Sequence, residues 1–237
     1  MAESADSEGW KTLRVTSQHP LPAAVLFDMD GTLVDTEPYW MRAETELVES
    51  WGGTWSHDDA LTLVGNALEV SALVLKSRGV DLQVDEIINA LTDRVMEQLH
   101  DAVPWRPGAQ ELLSAIRAAG IPTALVTMSW RRMALSIGEA TGASFDVVIA
   151  GDEVEKGKPD PEAYLRAAAA LGVEITDCVA VEDSEVGVAA AAASGATTIA
   201  VPSHVELPAS PAYTLWDTLA GRTVADVAAL HAERISA

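Results

Sequence analysis

The stretch AVLFDMDGTLVDTEPYW, residues Ala24 to Trp40, decides the fold. Five of its first six residues are apolar, and the exception is Asp28. A short apolar run that ends at Asp-Gly predicts a buried strand over residues 23–29. Asp28 and Asp30 are two residues apart, so their side chains leave an extended chain on the same side. Because neighbouring carboxylates repel each other, the stretch predicts a strand that brings two acids to a cation.

The composition is that of a globular protein: 237 residues, 49% hydrophobic and 22% charged. This length suits one large domain or a core with a smaller insert. No apolar run approaches the roughly 20 residues that a membrane span needs. Residues 1–20 form a predicted N-terminal arm that lacks the basic start and apolar middle of a signal peptide. We therefore expect a cytoplasmic protein with no membrane partner.

The formal net charge is −21. Such a charge disfavours nucleic acid as a partner, because nucleic-acid binding depends on Lys and Arg neutralising phosphates. An anionic substrate would need a local site made of a metal ion, a few cations and backbone N–H groups.

The chain changes character twice. Residues 37–103 carry apolar residues at helical spacing without a strand pattern, and predict a helical insertion, which the family resemblance described below identifies as a cap. From residue 104 onward, apolar strands alternate with helices, which predicts a parallel sheet covered on both faces. The predicted fold class is α/β, a doubly wound Rossmann-like core over residues 21–36 and 104–237 with the cap inserted after the first strand.

Polar residues follow the predicted strands, where such sheets bind ligands. They are Asp28 and Asp30, then Thr127-Met128-Ser129, then Lys158 in KGKPDP, and finally Glu182-Asp183. The acidic members favour a hard divalent cation with oxygen ligands, and Mg²⁺ fits best because it takes a few carboxylates plus phosphate and water. Lys158 and the Thr127 hydroxyl would complete a phosphoryl site.

These motifs, DMDGTLVDTE, LVTMS, GKPDPEAYL and VEDSEVGVAAAAASG, resemble those of the haloacid dehalogenase superfamily, in the branch with a helical cap. The resemblance spans residues 23–201 and implies roles for single residues. Asp28 would be the nucleophile that forms an aspartyl-phosphate. Asp30 would be the general acid and then the general base.

The resemblance implies further roles at the other motifs. Thr127 and Lys158 would hold the phosphoryl oxygens. The predicted Mg²⁺ ligands are Asp28, the backbone carbonyl of Asp30, Asp183 and Glu182, the last directly or through water. The N–H groups of Met29 and Met128 would contact the phosphoryl group, and Ser129 is a further predicted substrate-binding residue.

Asp30 favours phosphoryl transfer, because dehalogenases of the superfamily lack an acid at this place. We predict a phosphatase for a small phosphorylated metabolite such as a sugar or polyol phosphate. A β-phosphoglucomutase-like mutase and a phosphoglycolate-type phosphatase are alternatives, and a non-enzymatic regulator is a third. The mutases carry a His and an Arg where this chain has Trp40 and Leu68, which weakens the mutase alternative.

Substrate specificity is expected from the cap. The candidates are Glu37, Trp40, Gly65 and Asn66, each of which also has a purely structural interpretation as a helix cap, core residue or loop turn. Arg131 and Arg132 are candidates for attracting the anion or for ion pairs. We expect a monomer, because the cap already covers the site.

Overall fold

The computed structural model describes residues 19–99, 103–142 and 144–236. The predicted N-terminal arm therefore lies outside the described residues, apart from His19 and Pro20. Six strands form one parallel sheet in the order β3-β2-β1-β4-β5-β6. Their bounds are β1 Ala24–Phe27, β2 Thr123–Val126, β3 Val147–Ile149, β4 Cys178–Glu182, β5 Thr197–Ala200 and β6 Thr214–Leu215.

The strands β1, β2, β4 and β5 are buried on both faces, as the near-continuous apolar strands predicted. All four residues of β1 are fully buried. Val25 and Phe27 join one hydrophobic cluster, and Ala24 and Leu26 join another on the opposite face. This alternation follows from the two-residue period of a strand.

Helices of the core cover these two faces. They are α5 Ala109–Ala118, α6 Arg131–Thr141, α7 Glu162–Leu171, α8 Glu185–Ser194 and α9 Val224–Ile235. The alanine-rich α7 and α8 pack against the sheet through small side chains, so Ala163, Ala167, Ala190 and Ala191 are fully buried. The predicted fold class is confirmed, and the short edge strand β6 was not predicted.

A helical cap follows β1, as predicted. Its helices are α1 Glu37–Ser50, α2 His57–Leu61, α3 Leu68–Ser77 and α4 Val84–Leu99. The apolar sides of α1, α3 and α4 meet in the larger hydrophobic cluster, which contains Leu47, Leu75, Ile88 and Leu91. The domain limits of residues 37–103 for the cap and of residues 21–36 and 104–237 for the core stay predictions.

The two connections between core and cap run side by side. Val34 and Trp105 form an antiparallel bridge. The Asp35 N–H donates to the Pro104 carbonyl at 2.7 Å, and the Arg106 N–H donates to the Leu33 carbonyl at 2.8 Å. The outgoing and returning chains thus make a short two-stranded hinge. Among the described helices, none is both long and apolar enough to span a bilayer.

Candidate active site

The sheet order places the first predicted acid beside the last two. Strand β1 pairs with β4, and Phe27 lies opposite Val181. Strands β2 and β3 lie on one side of β1, and the later strands lie on the other side, next to β4. Open α/β sheets bind ligands at the point where the strand order changes side in this way. Asp28 follows β1, and Glu182 and Asp183 end and follow β4, so the three carboxylates meet. Ligand oxygens of all three lie within 4.8 Å of one another.

Lys158 joins two of these acids. Its Nζ lies 2.6 Å from Asp28 Oδ1 and 2.5 Å from Glu182 Oε1, and it donates to the Val126 carbonyl at 3.0 Å. The Tyr164 hydroxyl donates to Glu182 Oε1 at 2.6 Å. Glu182 therefore lies behind Lys158, where it balances the charge of the lysine.

The electrostatics of the cluster follow from burial. Burial and the charges of Glu182 and Asp30 raise the pKa of Asp28, whereas Lys158 lowers it, and the net pKa is about 7. Burial and the neighbouring carboxylates, Asp28 first, raise the pKa of Asp183 well above its usual range. Burial alone would lower the pKa of Lys158, but Asp28 and Glu182 hold that pKa above its usual range. The cluster has an excess of negative charge that one lysine does not neutralise.

The acidic cluster has the features of a divalent-metal site. Asp28 Oδ2 and Asp183 Oδ2 are buried, and no hydrogen-bond donor among the described residues reaches either. Buried carboxylate oxygens without a donor are destabilising unless a cation binds them. Gly31 leaves the space beside them, because a Cβ at that position would lie 2.1 Å from Asp183 Oδ2. The residues thus fit the metal that the sequence predicted.

The carboxylate of Asp30 lies in a different environment, although Asp30 is two residues from Asp28. Four side chains donate to it: Thr36 at 2.6 Å, Trp40 at 3.2 Å, Thr127 at 3.1 Å and Ser129 at 2.7 Å. Because these donors take up the side chain, a contribution of Asp30 to a metal would come from its backbone carbonyl, as the family resemblance implied.

A cleft between the core and the cap joins these groups. Its volume is about 520 Å³ and it is open to solvent. Most of the predicted site residues line it: Asp28, Asp30, Glu37, Trp40, Asn66, Thr127, Met128, Ser129, Lys158 and Asp183. Met29 and Glu182 do not, because the Met29 side chain is buried in the core and Glu182 faces Lys158 and Tyr164.

The structure shows the contacts of several residues for which the sequence left two interpretations open. Trp40 is buried, lines the cleft and donates to Asp30, and its contact with a substrate stays a prediction. Gly65 and Leu68 also line the cleft. Arg131 pairs with Glu153 at 2.8 Å, and Arg132 pairs with Asp93 at 2.6 Å. The two arginines therefore form ion pairs, and neither lines the cleft.

Sequence reasoning missed Glu44, Ser71, Ser184 and Tyr164. Glu44 and Ser71 line the cleft from the cap, and Ser184 lines it from the start of α8. Glu44 is three residues beyond Met41 and four beyond Trp40 on α1. The only signal in the sequence is therefore an acidic residue on the apolar side of that helix.

The chain matches a known protein family over most of its length. The family model described as haloacid dehalogenase-like hydrolase matches residues 22–195. Hexitol phosphatase B of Escherichia coli strain K12 is 31% identical over 202 residues, which cover 82% of this chain and 89% of that protein. The resemblance that the motifs indicated is confirmed, and so is the expectation of an enzyme.

Two further similarities differ in extent. The bifunctional riboflavin kinase/FMN phosphatase of Arabidopsis thaliana is 33% identical over 187 residues, which cover 77% of this chain but only 49% of that protein. The structure of a CbbY mutant from Rhodobacter sphaeroides with xylulose-(1,5)bisphosphate aligns with a TM-score of 0.77 at 28% identity. That alignment covers 87% of this chain and 99% of the CbbY chain.

Proposed function

The chain belongs to the haloacid dehalogenase-like hydrolases and is a phosphatase of that family, a phosphoric monoester hydrolase; from this premise we propose that it hydrolyses a small sugar or polyol phosphate through an aspartyl-phosphate. The observation that carries the proposal is the different setting of two nearby aspartates. Asp28 faces Lys158 and the acidic cluster, whereas Asp30 lies among four hydrogen-bond donors. Such a difference separates a nucleophile from a proton donor.

In the first step, a carboxylate oxygen of Asp28 attacks phosphorus. The new bond joins this oxygen to phosphorus, and the bond between phosphorus and the ester oxygen breaks. Asp30 gives its proton to the leaving alkoxide, which is a poor leaving group without one. Lys158 and Thr127 lie at the core wall of the cleft and bind the phosphoryl oxygens.

In the second step, water attacks the phosphorus of the aspartyl-phosphate. Asp30, now ionised, takes a proton from the water, and the bond to Asp28 breaks to release inorganic phosphate. The two steps restore both aspartates. The cap lies over the cleft and limits the access of water.

The proposed cofactor is Mg²⁺, held by Asp28, Asp183 and the backbone carbonyl of Asp30, with Glu182 nearby. When bound, Mg²⁺ offsets the charge between the carboxylates and the phosphoryl group. The two buried oxygens without donors support this assignment.

Trp40 disfavours the mutase alternative. The mutases that the sequence resembles carry a His at this place, and an imidazole both donates and accepts protons. The indole N–H of Trp40 only donates a hydrogen bond, and here it donates one to the Asp30 carboxylate. The phosphoglycolate-type alternative differs from our proposal in its substrate alone. Action as a monomer in the cytoplasm stays a prediction.

The test is hydrolysis of an aryl phosphate by Asp28→Asn with and without Mg²⁺. We expect the wild type to require Mg²⁺ and Asp28→Asn to lose all measurable turnover. Asp81→Asn is the matched control, because Asp81 is exposed in a cap loop and should keep full activity. Full activity of Asp28→Asn would refute the mechanism. With a sugar 1-phosphate, formation of a sugar 6-phosphate instead of inorganic phosphate would establish the mutase.

A further inference from the structure

The cap wall of the cleft carries two buried carboxyl groups. Glu37 is 6% exposed and Glu44 is 5% exposed, and both line the cleft from α1. The Trp55 indole N–H donates to Glu44 Oε2 at 3.1 Å and so fixes the orientation of this carboxyl. Among the described residues, none donates to Glu44 Oε1 or to the carboxyl of Glu37. These oxygens are not among the fully enclosed, unpartnered atoms of the described residues, so they open onto the cleft, where a hydroxyl of a ligand can reach them.

The cleft has little positive charge to offer in return. Of the described residues that line it, Lys158 is the only cation, and it is paired with Asp28 and Glu182. Arg131 and Arg132 pair with acids outside the cleft. An anionic group bound in the part of the cleft that the cap lines would therefore lose its hydration without gaining a cation.

The pKa values of Glu37 and Glu44 are both raised. Burial, together with the charges of Asp30 and Glu44, raises the pKa of Glu37 to about 8. Burial also raises the pKa of Glu44 to about 8, against the hydrogen bond from Trp55. In either protonation state a carboxyl group accepts a hydrogen bond from a hydroxyl, and in neither state does it carry positive charge.

We propose that Glu44 is a specificity residue whose Oε1 accepts a hydrogen bond from a hydroxyl of the leaving group. With Glu37, it makes a cap wall that selects phosphate monoesters of uncharged polyols. The same wall rejects substrates with a second anionic group, namely bisphosphates and carboxylate-bearing phosphates. This inference rests on the proposed phosphatase function and adds the chemical class of the leaving group.

The test compares kcat/KM for a hexitol monophosphate, the corresponding hexitol bisphosphate and an aryl phosphate. We expect the wild type to prefer the monophosphate to the bisphosphate by about 100-fold or more, because the second phosphate would lose its hydration beside the cap wall without gaining a cation. In Glu44→Gln, the amide N–H₂ offers the second phosphate a donor. We expect this variant to reduce the preference by about 10-fold, the size of a modest change in pocket contacts.

Two further variants separate specificity from folding. Trp55→Phe removes the donor that orients Glu44 while keeping a ring in place, and should reduce the preference in the same direction by a smaller factor. Glu49 lies on the exposed side of the same helix, so Glu49→Gln should leave the preference for the monophosphate unchanged.

The outcomes distinguish this inference from the proposed function. A wild type that hydrolyses none of the three substrates with Mg²⁺ would refute the phosphatase mechanism itself. A wild type that hydrolyses the bisphosphate as well as the monophosphate would refute only the specificity. An equal loss by Glu44→Gln on all three substrates, with the preference unchanged, would assign Glu44 a purely structural role and would also overturn the inference.

Discussion

Replacing Trp40 with Phe tests whether Asp30 acts as the proton donor. The change removes one of four donors to the Asp30 carboxylate, the indole N–H at 3.2 Å, and keeps an aromatic ring in the cap. The Thr36 hydroxyl still donates to the same oxygen at 2.6 Å. Asp30 becomes a carboxylate as it gives up its proton, and a hydrogen bond to a charged group contributes about 1.5–3 kcal/mol. Because the Trp40 contact is the longest of the four, we expect the lower value, which corresponds to a roughly 10-fold loss of kcat.

The loss should depend on the leaving group. An alkoxide needs the proton of Asp30, whereas a nitrophenolate leaves without one. Trp40→Phe should therefore reduce kcat by about 10-fold with a hexitol phosphate and by much less with p-nitrophenyl phosphate, in steady-state assays of phosphate release.

Trp51→Phe is the matched control, because Trp51 is 44% exposed at the end of the same helix. It should change neither rate. Equal losses with both substrates in Trp40→Phe would refute the reasoning, since they would indicate a packing defect. An unchanged rate with the hexitol phosphate would show that the indole does not support Asp30.

Three further predictions concern the metal, the cap and pH. In a thermal-shift assay, Mg²⁺ at about 100 times its Kd should raise the melting temperature of the wild type by about 5–10 °C. Asp183→Asn should abolish this rise. Gly65→Ala should reduce kcat/KM by roughly 10- to 100-fold, because its Cβ would lie 2.4 Å from Ser184 Oγ at a φ of +77°; unchanged kinetics would mean that the cap loop adjusts freely. In EDTA, the free energy of unfolding from urea titrations should fall by up to about 4 kcal/mol between about pH 4.5 and pH 8 through Glu44, since its raised pKa makes the folded protein bind the extra proton. Glu44→Gln should remove this contribution and leave that of Glu37, whose pKa is also raised to about 8, whereas Glu49→Gln should leave the pH dependence unchanged.

Much of the core site could be predicted because it lies at strand ends. Each strand is a short apolar run, so the polar residue that follows it is visible in the sequence. Parallel pairing then brings Asp28, Thr127 and Asp183 to one edge of the sheet. Lys158 lies in the loop between β3 and α7, and its contact with Asp28 at 2.6 Å was expected from the family resemblance.

The cap half of the site could not be predicted in the same way. A helix shows its buried side through apolar residues at a period of 3.6, and Glu44 on that side looks like a surface acid. Its burial depends on how α1 lies against the core and on the distant donor Trp55. Likewise, the role of Glu182 behind Lys158 depends on Tyr164 of α7, which no pattern near Glu182 indicates.

The hinge beside the active site lies between two pairs of donors to Asp30. Thr36 and Trp40 leave the hinge toward the cap and donate to one oxygen of Asp30, whereas Thr127 and Ser129 of the core donate to the other. Because the two oxygens depend on different parts of the chain, the Asp30 carboxylate has all four donors only in the arrangement of cap and core that the hinge holds here. A substitution in the hinge that displaced α1 would remove donors from one oxygen alone and leave the donors of the core in place.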